Sequence, residues 1–581
     1  MNYLNLNFKY MEVLEKKAKT LALLGNEAIV RGALESGVQY VSTYPGTPSS
    51  EIGVIFSQIA KTVGVYFEFS TNEKVALESS IGANFSDLKT LVAMKSFGLN
   101  VALDSLFPLA YTGTKAGMVI IVADDPSCWS SAQSEENVRG FAELLKIPIL
   151  EPSDPQECKD FVKLGFEISE KFRTPVIIRT TTRVAHQSAL VKIDNLVLPL
   201  SQFKGKFVKD PRRFVTMPPR VLEMKAELLQ KVEKIKKYAE NLKINFIENR
   251  KTGAKIGIIT SAISYLHTKE GLKELNIKVP ILKLGFFYPL SEEKVKKFIK
   301  GLKKVLIIEE LEPYLEKEIN RLAKDVNPKL QVFGKNLLSE IGELRPEFVT
   351  AAIAKVIGKK YPEGKLSASC GASKLKTTAY RLETKHIARF CPGCPYWSVF
   401  ATIKKSAPEG TIFGGDIGCY MLAGQPPHNM QDYLFSMGSG FGIAHGIEKA
   451  TSISGNKDSP NKQKVIAFIG DSTFFHAGIP ALINTVFNKS NPLFIILDNQ
   501  TTAMTGHQPH PGVGKTGMGE ETLPVKIEDI VQACGVNNLK IVDPVNVQEL
   551  ENAVKEFLPK EEVSVIIARR MCALLAKKQR T

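Results

Sequence analysis

The chain is 581 residues long, 44% hydrophobic and 23% charged, with no low-complexity tract, which excludes a disordered or fibrous protein and leaves room for several buried cores. No apolar run approaches the roughly 18 residues of a membrane span, and the N-terminus lacks the apolar region of a secretory signal, so a cytoplasmic protein without a membrane part is expected. The formal charge of +16 is spread over Lys-rich helical stretches at 225–243 and 294–304 with no zinc-finger, RNA-binding or Gly-Arg-rich pattern, so nucleic acid is not expected, while acidic partners suit such a surface.

From residue 20 to 190, apolar β-branched runs (38–43, 65–69, 90–94, 118–122, 175–179) alternate with helix-length segments. That pattern predicts a parallel α/β domain, assigned to 1–190. Residues 191–250 change character, Pro-rich at 210–219 and then Lys/Glu-rich, and are expected to form a surface connector. Alternation resumes at 251–360, with strand-like runs at 255–261 and 305–309, as a smaller α/β domain. Residues 361–385 are Gly/Ser/Lys-rich and read as a linker. A third α/β domain occupies 386–581.

The third domain carries the most informative stretch. An apolar run (465–469) ends at Gly470-Asp471-Ser472, a helical segment follows, and a second run (493–497) ends at Asp498-Asn499. A right-handed β–α–β crossover makes both strands parallel and brings Asp471 and Asn499 to one sheet edge. A carboxylate, an amide oxygen and nearby carbonyls form the hard oxygen site that Mg²⁺ takes alongside a diphosphate. Such turns are common, and the bare pattern is weak. It nevertheless resembles the GDG…N signature of thiamine-diphosphate enzymes, with Ser472 in place of the last glycine and Asp498 before Asn499.

Other residues stand out with open alternatives. Glu73 falls in the first turn of a helix after the 65–69 strand; it is either a catalytic carboxylate or a glutamate favoured there by the helix dipole. Cys391-Pro-Gly-Cys394 is a zinc half-site, a redox dithiol or two buried thiols. Cys419 and Cys572 follow the first turn and the last strand of the same domain, so four thiolates can converge at the carboxyl edge and suit a [4Fe–4S] cubane, with zinc the alternative. His476 and His507 are proton shuttles or structural histidines. Gly438 either starts a cofactor loop or permits close packing.

Taken together, LGNEAIVRGALESGV (24–38), YPGTPSSEI (44–52), STNEKVALE (70–78), EPSDPQE (151–157), CPGCP (391–395), GDIGCY (415–420), GDSTFFHAGIPALIN (470–484) and LDNQTTAMTGHQPHPG (497–512) resemble the α subunits of indolepyruvate:ferredoxin oxidoreductases, within the 2-oxoacid:ferredoxin oxidoreductase family. The resemblance spans nearly the whole chain. It implies an α/β fold of three parallel-sheet domains, pyrimidine-type and diphosphate-type thiamine-diphosphate domains plus one like the transketolase C-terminal domain. It implies oxidative decarboxylation of an aryl or other bulky 2-oxo acid to an acyl-CoA, with coenzyme A, ferredoxin and a smaller β subunit as partners, as a heterodimer or an α2β2 assembly.

The resemblance also carries roles over to single residues. Glu73 is placed at the aminopyrimidine, Thr47 near the oxo acid, and the family's active-site arginine on Arg139. Thiamine diphosphate and Mg²⁺ fall to Gly415, Asp416, Gly438, Gly470, Asp471, Ser472, Asn499 and Thr501, the last through its carbonyl. One [4Fe–4S] cluster falls to Cys391, Cys394, Cys419 and Cys572. Cys128, Cys158, Cys370 and Cys534 match nothing. Two departures are visible: the sequence stops at Thr581, where the family ordinarily continues into a ferredoxin-like module, and Tyr396-Trp397 stands where it commonly has His-Arg. A non-oxidative decarboxylase or ligase, and an inactive scaffold subunit, are the competing functions.

Overall fold

The computed structural model describes residues 11–198, 205–249, 255–361, 389–434, 436–454 and 464–580. The expected linker, apart from Tyr361, and Cys370 lie outside the described residues. Two compact units result, residues 1–68 with 73–383 and residues 69–72 with 384–581.

The first unit holds the expected parallel sheet. Its seven strands run in the order Phe286–Tyr288, Ile149–Leu150, Val176–Thr181, Met118–Asp124, Thr90–Lys95, Tyr40–Thr43, Tyr66–Phe69. The strands Thr90–Lys95, Met118–Asp124 and Val176–Thr181 are buried along their whole length and pair in parallel. Helices on both faces of such a sheet demand continuous apolar runs rather than alternation, which is how these segments read.

Strands are shared across the expected boundaries near 190 and 250. A second sheet, ordered Gln331–Phe333, Lys304–Ile308, Ile256–Ser261, Ile281–Leu284, Asn245–Glu248, takes its last strand from the expected connector, antiparallel to Ile281–Leu284. In the other direction, Phe286–Tyr288 leaves the middle segment to pair antiparallel with Ile149–Leu150 of the first sheet. One apolar core therefore contains Leu106, Ile120 and Val138 together with Ile259, Leu282 and Ile307. The connector helix Arg220–Asn241 adds Leu228 and Val232 to that core. Its buried stripe of Met224, Leu228, Val232, Ile235 and Ala239 follows helical spacing under a Lys/Glu-rich surface, which hid it from a composition-based reading. An N-terminal strand, Lys19–Leu24, also pairs antiparallel with Ser188–Ile193.

A buried charge network fills this unit. Arg139 Nε and Nη2 donate to the Glu151 carboxylate at 2.6 and 2.7 Å, Nη2 to Ser261 Oγ at 2.9 Å and Nη1 to the Glu310 carbonyl at 3.2 Å. Arg179 donates to Asp124 at 2.7 Å and to Glu151 at 3.2 Å. Arg139 is thus a fully buried tie whose donors are committed to protein, and the expectation of an active-site arginine at this position is set aside. The paired bidentate geometry is what makes burial of these charges tolerable.

Glu310 is the strained member. Its Oε1 accepts from Leu344 N at 3.2 Å, while Oε2 has no hydrogen-bond partner among the described residues. Burial, with Glu343 adding to it and Arg179 opposing, pushes its carboxyl up to about 7. The folded protein therefore holds this proton more tightly than the unfolded chain does. The associated stability is present below the unfolded value near 4.5 and is lost as pH rises through about 7. Glu310→Gln is expected to remove that loss, at most on the order of 3 kcal/mol at pH 8 relative to pH 5. Thermal melts of parent and variant at both pH values check this, and parallel pH dependence of the two would contradict it.

Candidate cofactor and cluster site

The second unit is built on five parallel strands in the order Ile412–Gly414, Val465–Gly470, Leu493–Asp498, Ser564–Arg569, Asn538–Val542. Ile466 to Gly470 pair with Leu493 to Leu497 in parallel, as the crossover required. Immediately after the carboxyl ends of four strands come Asp416, Asp471, Asn499 and Cys572, and this is the edge where open α/β sheets bind ligands. Backbone bonds draw two of these turns together, since Cys572 N donates to the Asn499 carbonyl at 3.1 Å and Arg570 N to the Asp498 carbonyl at 2.9 Å.

Asp471, Asn499 and Thr501 meet around one amide. Thr501 N donates to Asn499 Oδ1 at 3.1 Å and to Asp471 Oδ2 at 3.3 Å. All three residues are buried. Two residues to which sequence reasoning gave no role hold these groups in place. Tyr396 OH accepts from Asn499 Nδ2 at 2.7 Å, which turns the amide oxygen toward Thr501. His510 Nδ1 accepts from Gly512 N at 3.1 Å, so the ring proton sits on Nε2 and is donated to Asp471 Oδ2, also at 3.1 Å. The sequence signal for Tyr396 was its departure from the family's pattern, and for His510 only its membership of a histidine cluster. Ser472 Oγ accepts from Thr502 Oγ1 at 3.0 Å, a contact that the signature's glycine could not make.

Asp416 is an anchor rather than a surface acid. Its carboxylate accepts from Gly438 N at 2.8 Å, Gly440 N at 2.7 Å and Ile417 N at 2.6 Å. Burial nonetheless pushes it up to about 6, against those bonds and the nearby His476. A side chain at Gly438, where φ is 88°, would put its Cβ 2.4 Å from Ala477 Cβ, so glycine here answers both a left-handed backbone and a close approach. Gly415 and Gly470 meet similar limits against Gln431 and Tyr420. His476 lies buried in a π-turn, Phe474–Gly478, before the helix Ile479–Phe487. Pro480 lacks the N–H that would bond the His476 carbonyl in a regular helix, which accounts for the widened turn. His507 adopts φ 67° and is lowered by burial and by Lys578.

Four of the described cysteines, Cys391, Cys394, Cys419 and Cys572, belong to turns of this unit. Cys394 N donates to the Cys391 carbonyl at 3.1 Å across Gly393, whose φ is 77°, so the C-P-G-C run closes a tight turn. Burial pushes the Cys394 thiol up to about 11, with Cys572 and Cys391 contributing. Burial also raises Cys419, to about 12, with contributions from Cys394, Cys572 and Cys391. The four sulfurs thus lie within electrostatic reach of one another, whereas burial alone raises Cys534. Among the described residues no three His, Cys, Asp or Glu side chains stand at the spacing of a single ion. A cubane sets its ligand sulfurs wider than one ion does. Four soft thiols fit an iron–sulfur cluster by donor chemistry. The carboxylate, amide oxygen and carbonyl around Thr501 fit Mg²⁺.

In the first unit, Glu73 opens the helix Glu73–Phe85 and is buried there. Thr47 Oγ1 lies 3.3 Å from Ser50 Oγ, and the Thr47 carbonyl accepts from Ser130 Oγ at 3.2 Å. Lys95, which sequence reasoning passed over, is buried beside this turn; its ammonium donates to the Ser130 carbonyl at 3.0 Å and faces Asp125 at 3.7 Å.

Residues 416–568 match the thiamine pyrophosphate enzyme C-terminal TPP-binding domain, and residues 31–245 the thiamine-diphosphate-binding region of pyruvate flavodoxin/ferredoxin oxidoreductases. Fold, site and these matches define a thiamine-diphosphate-dependent 2-oxo acid oxidoreductase. Residues 247–388 match the indolepyruvate oxidoreductase domain. The chain is 44% identical to indolepyruvate oxidoreductase subunit IorA of Methanothermobacter marburgensis, over 95% of this chain and 87% of that protein. It is 41% identical to that of Thermococcus kodakarensis, over 96% and 87% of the two chains, and 37% to that of Archaeoglobus fulgidus, over 98% and 89%. The chain belongs to the family of indolepyruvate oxidoreductase IorA subunits. Among the described residues no helix is long and apolar enough to cross a membrane.

Proposed function

We propose that this chain is the α subunit of an enzyme that decarboxylates an indolepyruvate-like aryl 2-oxo acid oxidatively, forms the acyl-CoA, and passes electrons through one [4Fe–4S] cluster to ferredoxin. A smaller β subunit completes the assembly, and the location is the cytoplasm. The observation that carries this reading is the Asp471–Thr501–Asn499 knot with the Cys572 backbone bonded to Asn499, because it ties an oxygen-donor site to a thiol site on one sheet edge.

Thiamine diphosphate, when bound, supplies an electron sink for loss of carbon dioxide from a 2-oxo acid. The chain's residues do the rest. Asp471, Asn499 and the Thr501 carbonyl would hold the magnesium that accompanies the diphosphate, and His510 and Tyr396 keep two of those groups aimed. Asp416 fixes the Gly438–Gly440 turn, and His476 is assigned the movement of protons beside it. Glu73 holds a proton at the aminopyrimidine, and Thr47 orients the oxo acid. Cys391, Cys394, Cys419 and Cys572 would hold the cluster through their thiolates.

Asp471→Ala is expected to weaken thiamine diphosphate and Mg²⁺ together, by at least about tenfold, since the metal bridges protein and diphosphate. Calorimetric titration with each, alone and combined, checks it. Unchanged cofactor affinity would remove the magnesium assignment.

A further inference from the structure

A cleft in the first unit is lined by none of the residues assigned above. It encloses about 380 Å³ between the ends of the helices Ser96–Thr112 and Pro155–Phe172, the short helix Pro211–Phe214 and the helix Arg220–Asn241. Five cations line it: Arg173, Arg212, Arg213, Arg220 and Lys231. Arg220 is answered by Glu227 at 2.6 Å and Arg212 by Glu223 at 3.8 Å. Arg173, Arg213 and Lys231 form no ion pair among the described residues. Lys231 Nζ instead donates to the Arg173 carbonyl at 2.9 Å, and an Arg213 guanidinium N–H donates to the Thr114 carbonyl. Gly113 leaves the room for this convergence: a Cβ there would sit 2.3 Å from the Arg173 carbonyl oxygen and 3.1 Å from Lys231 Nζ.

The cations crowd one another. Burial lowers the Lys231 ammonium to about 8, with Arg213 and Arg173 adding to it and Glu227 opposing, and burial and Arg173 lower Arg213 against Asp210. The simplest role for such a cluster is to face the carboxyl ends of the two helices that stop here. Two helix termini supply about one negative charge between them, screened by solvent, and Asp210 is engaged in capping the short helix through Arg213 N. The five cations of the lining face two carboxylates, Asp210 and Glu227, which leaves net positive charge in a concave site. Tyr111, Phe172, Met224 and Leu228 add an apolar, partly aromatic part to the lining.

We propose that this cleft binds a phosphate ester of nucleotide type, its diphosphate on Arg173, Arg213 and Lys231 and its base against Tyr111 and Phe172. Guanidinium groups take phosphate oxygens in pairs, and the volume lies in the range of small-ligand sites. Two sources carry this chemistry, a free nucleoside diphosphate and the nucleotide end of coenzyme A. The placement does not rest on the proposed thiamine chemistry.

The test is calorimetric titration of the full-length protein, saturated with thiamine diphosphate and Mg²⁺, using ADP, coenzyme A, inorganic pyrophosphate and adenosine. ADP or coenzyme A is expected to bind, with pyrophosphate and adenosine each at least about tenfold weaker. Tighter binding of ADP points to the free nucleotide, tighter binding of coenzyme A to that cofactor. Arg213→Gln with Lys231→Gln should weaken the bound nucleotide at least tenfold, and Lys231→Arg should retain it. Should the double variant melt early, Arg173→Gln on the exposed rim replaces it. Absence of ADP and coenzyme A binding, or equal affinity in parent and Gln variants, would overturn the assignment.

Discussion

Glu73→Gln is expected to lower turnover by roughly 10²–10⁴-fold, the usual span for loss of a positioned acid–base group, with fold and iron content unchanged. Glu73 begins the helix Glu73–Phe85, and its side chain is only 7% exposed. Its place is made by Gly98, in the helix Ser96–Thr112. A Cβ at Gly98 would fall 2.5 Å from Glu73 Cγ and 2.8 Å from Oε1, so the carboxylate lies where a larger neighbour could not stand. A first-turn glutamate serving only the helix dipole would be worth about 0.3–1 kcal/mol, would act on stability, and needs no such slot. Steady-state rates for Glu73→Gln and Gly98→Ala, measured beside thermal melts, separate the two roles. Gly98→Ala keeps the carboxylate but displaces it, and should lower turnover as well. Activity of Glu73→Gln within a few-fold of the parent would reduce Glu73 to a helix-start residue.

Cys572→Ser is expected to make the cluster labile and to halt reduction of ferredoxin, whereas Cys534→Ser should do neither. Both thiols are free and partly buried, so exposure does not distinguish them. Position does. Cys572 follows the strand Ser564–Arg569 at the carboxyl edge and contributes to the raised thiols of Cys394 and Cys419. Cys534 caps the helix Ile527–Ala533 and is raised by burial alone. Iron analysis should find about four atoms per chain in the parent, with loss confined to Cys572→Ser. Equal iron loss in both variants, or eight or more atoms per chain, would undo the ligand assignment.

The sheet edges were legible in the sequence because both faces of these parallel sheets are covered. Runs such as 118–122 and 493–497 are apolar throughout, and they end abruptly where the backbone turns out of the sheet at Asp124 and Asp498. Asp471 and Asn499 were legible for the same reason, since a crossover between adjacent parallel strands leaves little freedom in where their ends emerge. What escaped depends on contacts distant in the chain. Phe286–Tyr288 joins a sheet to which its own segment gives no clue, and nothing near Arg139 in sequence announces that Ser261 and Glu310 consume its donors. His510 and Tyr396 serve the site through single hydrogen bonds to Asp471 and Asn499, a role without a local pattern. The helical run from Val221 was legible, but its burial escaped because its charged residues outnumber the five that it buries.

The central claim is that this site removes carbon dioxide from an aryl 2-oxo acid and delivers the electrons to iron. The direct measurement is anaerobic visible spectroscopy of the protein with its small subunit, as indolepyruvate and coenzyme A are added with and without thiamine diphosphate and Mg²⁺. A brown chromophore near about 400 nm is predicted, bleaching on addition of the oxo acid only when thiamine diphosphate is present. Release of carbon dioxide with no bleaching, as in a non-oxidative decarboxylase, or bleaching that ignores thiamine diphosphate, would contradict it.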